Sequence, residues 1–154
     1  MTPCKGFKGL FAGLMLAAAV PAVADTDAQF RLNELLSSDA EYRETWQSLV
    51  EHESRLPEWV LNLSGVATPM NAVEDDGDRY LVGQLCETER CDKRLYVAFS
   101  WDKDSAYALY VQVPAGLPAD KSPSQHADKR WFGEPDETQQ AILEEALKRD
   151  PNWY

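Results

Sequence analysis

Tyr80-Leu81-Val82-Gly83-Gln84-Leu85-Cys86-Glu87-Thr88-Glu89-Arg90-Cys91-Asp92-Lys93-Arg94-Leu95-Tyr96-Val97-Ala98-Phe99-Ser100 decides the fold, because two apolar runs flank a short polar link closed by cysteines. In the second run Leu95, Val97 and Phe99 alternate with Arg94, Tyr96 and Ala98, which is the two-residue period of a strand. A link this short joins antiparallel neighbours, not parallel ones. Outward from this pair, further candidate strands fall at 61–66, 70–73 and 107–113, beside 79–85 and 93–100 in the quoted stretch. Tyr107, Leu109, Val111 and Val113 share one face. Asp75-Asp76-Gly77-Asp78 and Asp102-Lys103-Asp104-Ser105 read as hairpin turns, since Asp and Gly adopt the backbone conformations such turns require. A calcium loop is the sharper reading of the first, but the distant bidentate Glu is missing.

Helical patterns flank the strands. Ser38-Asp39-Ala40-Glu41 has the form of a capping box, and Tyr42, Trp46, Leu49 and Val50 then recur at helical spacing, with Pro57 as the stop. Glu41, Arg43, Glu44, Gln47, Glu51 and Glu53 fall on the water side. Phe30, Leu32, Leu35 and Leu36 give a shorter helix before it. Glu134-Pro135-Asp136 opens a last helix with apolar Ile142, Leu143, Ala146 and Leu147, and Pro151 follows its end. The order is that of an α+β domain, an antiparallel meander sheet of about five strands flanked by N-terminal and C-terminal helices. Residues 114–125, rich in proline, read as a surface connection, and Lys129-Arg130-Trp131-Phe132 as an edge strand.

Residues 1–24 have the layout of an export signal: Lys5 and Lys8, an apolar stretch over 10–20, then Ala22-Val23-Ala24 as cleavage site. The apolar stretch is shorter than the about 20 residues that span a bilayer. Removing it leaves 25–154, the length of one domain, and takes away two lysines and no acids. The mature balance is then 13 basic against 26 acidic residues, a net charge of −13. Such a body repels phosphates, which argues against nucleic acid and anionic membranes, and it attracts cationic proteins. Cys4 leaves with the signal. Cys86 and Cys91 remain, and in an oxidising compartment they pair across Glu87, Thr88, Glu89 and Arg90. Loop-closure entropy for so small a ring gives roughly 2 kcal/mol, so the bridge shapes the tip more than it holds the domain.

Leu56-Pro57-Glu58-Trp59-Val60, then Gly65-Val66-Ala67-Thr68-Pro69, then Tyr80-Leu81-Val82 leading into Cys-x4-Cys, then Val97-Ala98-Phe99-Ser100 follow one another in this order after a signal. In order and spacing they resemble the inhibitor of vertebrate lysozyme (Ivy) family. The resemblance implies a helix-flanked antiparallel sheet in a periplasmic protein. It also implies a disulfide-bridged loop that enters and blocks the active-site cleft of a C-type lysozyme. No cofactor or metal is implied, and family members can form homodimers. The family's usual loop reads Cys-Lys-Pro-His-Asp-Cys, with the His directed at the catalytic carboxylates; here Glu87, Thr88, Glu89 and Arg90 stand in those places and none matches. Glu89 facing an ionised carboxylate is repelled, whereas Arg90 can donate two parallel hydrogen bonds to one.

Two other function classes compete with lysozyme inhibition. The same scaffold can bind the cell's own peptidoglycan-cleaving enzymes, such as lytic transglycosylases. An enzyme is disfavoured, because His52 and His126 lie far apart and no Ser or Cys sits in a nucleophile motif. Both histidines read as surface residues, and Trp46 and Trp59 read as core rather than as saccharide platforms.

Overall fold

A computed structural model describes residues 30–154, so the expected export signal over 1–24 lies outside the described residues. Three helices come first: α1 over Leu32–Ser38, α2 over Ala40–Glu51 and the single turn α3 over Glu58–Leu61. Tyr42, Trp46 and Val50 of α2 are buried as the periodicity predicts, while Glu41, Arg43, Glu44, Gln47 and Glu51 face solvent. The cap is Asp39, not Ser38. The Asp39 carboxylate accepts the Glu41 N–H at 2.9 Å, while the Ser38 hydroxyl donates back to the Leu35 carbonyl at 3.0 Å. Since α1 runs through Ser38, the extended backbone that a cap needs first occurs at Asp39, where φ is −141°.

Two further expectations are corrected. Helix α2 ends at Glu51 rather than at Pro57, with His52 as its C-cap; Arg55, at φ +61°, keeps the following residues from continuing the helix, and Pro57 instead occupies the N-cap position of α3. The 61–66 strand is mostly absent. After Pro57 the chain takes a helical turn, the Trp46 indole N–H meets the Val60 and Leu61 carbonyls at 3.2 and 3.1 Å, and only Val66–Ala67 joins the sheet as β1.

The other strands are β2 (Asn71–Asp75), β3 (Asp78–Glu87), β4 (Arg90–Ser100), β5 (Ala106–Gln112) and β6 (Asp128–Phe132). All pairings are antiparallel, in the order β1-β3-β4-β5-β6, with β2 sharing the β1 side of β3. The sheet thus has six strands where the sequence suggested about five, the sixth being the 129–132 stretch at the edge. Asp76 and Gly77 turn β2 into β3 with φ of +50° and +85°, the left-handed pair that a two-residue hairpin requires. Both faces are covered. Leu95, Val97 and Phe99 pack with Trp46, Val60 and Phe132 under the N-terminal helices. Tyr96, Ala98, Leu109 and Val111 pack under the C-terminal helix α5 (Glu137–Lys148) with Leu143, Leu147 and Trp153. This double burial explains why β4 reads as nearly continuous apolar sequence. Helix α5 has a full capping box between Asp136 and Gln139. The 114–133 segment holds a short helix, α4 (Pro123–His126), before β6. Among the described residues no helix is long and apolar enough to cross a membrane.

Candidate functional site

The two longest strands, β3 and β4, form the hairpin that carries the cysteines. Their ladder runs in step from Tyr80 opposite Ser100 to Cys86 opposite Arg94, then jumps to Glu87 opposite Arg90. Cys91, Asp92 and Lys93 therefore bulge from the β3 ladder. Neighbouring strands stop at the base of this bulge, since β1 reaches only Cys86 and β5 only Lys93. Beyond that point the hairpin has no strand beside it. Thr88, Glu89, Arg90 and Cys91 are exposed, while Cys86 and Glu87 are half-buried.

Cys86 and Cys91 are bonded, with Cα atoms 4.9 Å apart. Thr88 and Glu89 make the reversal, and Glu89 takes φ +66°, a left-handed conformation in which Gly or Asn is the usual occupant. Two loose ion pairs brace the charged side chains: Arg90 to Asp92 at 3.8 Å and Lys93 to Glu87 at 3.7 Å. Arg90 is more than half exposed, so its pair contributes little and its guanidinium is accessible to another molecule.

The stem below the tip is firmer. Gly65 lies so close to the hairpin that a Cβ there would sit 2.2 Å from the Cys86 carbonyl oxygen, which only glycine avoids. On the other strand, Arg94 Nε donates to the Cys91 carbonyl at 2.7 Å and its Nη1 donates to Asp150 Oδ2, also at 2.7 Å. Tyr96 belongs to the same cluster. Burial, then the nearby Asp150 carboxylate, pushes its hydroxyl up to about 12, so it stays neutral. Arg94 and Asp150 carried no signal in the sequence reading: they stand 56 positions apart, and neither belongs to a motif.

The other residues singled out in the sequence do not join the tip. Trp46 is fully buried and Trp59 nearly so, both in the N-terminal core. His52 and His126 are exposed; His52 Nδ1 contacts the Ser48 carbonyl of its own helix at 2.8 Å. Among the described residues no three His, Cys, Asp or Glu side chains are grouped to hold a metal.

The sequence that builds this fold matches the family profile "Inhibitor of vertebrate lysozyme (Ivy)" over residues 41–149. The chain belongs to the Ivy family. Its match runs from the start of α2 to the residue after α5 and so takes in the sheet and the tip. A Pseudomonas aeruginosa protein named "Inhibitor of vertebrate lysozyme" is 37% identical over 97% of this chain and 99% of its own length. An uncharacterised protein of the same bacterium is 61% identical over 96% of this chain and 97% of its own. An uncharacterised Yersinia pestis protein is 35% identical over 73% of each. Ivy is a family of inhibitors, not enzymes, and together with the lysozyme-inhibitor relative it supports a lysozyme-inhibitor role for this chain.

Proposed function

We propose that this Ivy-family protein is a periplasmic inhibitor of a C-type lysozyme, released by cleavage of residues 1–24 as the single domain 25–154. The observation that carries the reading is the exposed, disulfide-closed tip at the free end of β3 and β4. A rigid tip loses little conformational freedom on entering a cleft, and the excess of 26 acids over 13 bases in 25–154 steers a cationic partner toward it. Occlusion needs no covalent step, no cofactor and no metal. Within the cleft, the exposed Arg90 is the group suited to the lysozyme carboxylates, and Glu89 is the one repelled by them.

One observation favours a second reading, in which the partner is one of the cell's own peptidoglycan-cleaving enzymes, such as a lytic transglycosylase. None of Glu87, Thr88, Glu89 or Arg90 matches the family's usual loop. The two readings separate in a cell-wall lysis assay with C-type lysozyme and the oxidised protein, its reduced form, Glu89→His and Arg90→Ala. Lysozyme inhibition by the wild-type protein, lost on reduction and at least tenfold weaker in Arg90→Ala, is the expected result. Undiminished lysis at saturating wild-type protein rejects the first reading, and inhibition that emerges only in Glu89→His points to the second.

A further inference from the structure

We propose that Arg94, held from behind by Asp150, is a positioning residue that sets the direction in which the tip presents Arg90. The inference rests on the tip being the partner-binding element, but its first test needs no partner. Because Cys91, Asp92 and Lys93 leave the β3 ladder and only Lys93 keeps a strand partner, Gln112 of β5, the ladder bonds that fix the rest of β4 do not fix Cys91 and Asp92. Besides the Cys86–Cys91 bond, two hydrogen bonds hold them. The Val113 N–H donates to the Asp92 carbonyl at 2.7 Å, and Arg94 Nε donates to the Cys91 carbonyl at 2.7 Å. The second contact acts on the residue directly after Arg90.

Arg94 can hold that carbonyl in place because its other edge is itself fixed. Its Nη1 meets Asp150 Oδ2, and the Arg94 and Asp150 side chains are only 11% and 14% exposed. The remaining Asp150 oxygen accepts the Asn152 N–H at 2.9 Å, and the Asp150 carbonyl accepts the N–H of Trp153, which is buried against α5. A planar guanidinium with donors on two edges thus ties the turn after α5 to the bulge beneath the tip. A lysine, with a single point charge on a flexible stem, does not make both contacts at once.

The test compares oxidised wild-type protein with Arg94→Lys and with Asp150→Asn, which keeps an oxygen for Asn152 but loses the charge. Backbone NMR order parameters of residues 88–92 are expected to fall from the rigid range near about 0.85 toward about 0.6 or lower in Arg94→Lys. A smaller fall is expected in Asp150→Asn, with β5 and α5 unchanged in both. Capture of C-type lysozyme at 25 °C weakens about tenfold in parallel, as the tip's freedom is then lost only on binding. A merely structural contact would lower the urea midpoint and leave 88–92 as ordered as before; that result in either folded variant overturns the proposal. If the variants loosen the tip but the wild-type protein captures no lysozyme, the positioning role stands and the lysozyme reading falls.

Discussion

Tyr96 lies on the α5 side of the sheet, 1% exposed, beside the Arg94–Asp150 pair. A free tyrosine ionises near about 10, and burial followed by the Asp150 charge moves this one up to about 12. The sign follows from which state releases the proton first. Below the unfolded value both states are neutral and the contribution is fully present; above it the unfolded chain ionises while the folded chain resists. Stability is therefore lost as pH rises from about 10 through about 12, by at most about 3 kcal/mol for this one group. Urea unfolding across that window should show a steeper loss for wild type than for Tyr96→Phe, and parallel curves would refute it. At the tip the reverse holds for Arg90: half-exposed and 3.8 Å from Asp92, it gains little from its own fold and has its hydrogen bonds to offer elsewhere.

At the scale of elements, the start of α2 gives a direct measurement. Asp39 caps the helix and also receives the Lys103 ammonium at 2.7 Å, a hydrogen bond that holds its carboxyl below the usual carboxylate range. Asp39→Ala should cost about 1 kcal/mol in urea unfolding at neutral pH, whereas Ser38→Ala should cost less than half as much. A larger cost for Ser38→Ala than for Asp39→Ala would return the cap to Ser38. The elements that the sequence revealed are those fixed by local periodicity: the α2 stripe, the β4 alternation, the Asp76-Gly77 turn and the edge strand at Asp128–Phe132. Those it concealed depend on distant partners. Leu61 and Leu63 mimic a strand, yet the Trp46 indole, 14 and 15 positions upstream of the carbonyls it meets, rewards a helical turn instead. For the same reason the candidate site was legible only in its covalent part. Cys86 and Cys91 announce a loop, but no local pattern marks the register shift that bulges Cys91-Asp92-Lys93, and the hold of Asp150 on Arg94 arises only when the turn after α5 folds back against β4.

For the whole molecule, the acidic charge and the projecting tip act at different distances. On the proposed reading the net charge of −13 on residues 25–154 speeds the arrival of a basic partner, so association should slow as salt screens it beyond the Debye length of about 10 Å at 0.1 M. On the proposed reading the tip decides whether that partner is blocked; the helical layers on the two faces of the sheet pack against the stem that carries it. Occlusion of the saccharide-binding cleft is the central claim. Its most direct test is competition: C-type lysozyme is titrated with the oxidised protein in the presence of increasing amounts of a saccharide that fills the cleft without being cleaved. Apparent affinity should fall in proportion to saccharide occupancy; binding that is indifferent to the saccharide, or no binding at all, would contradict it.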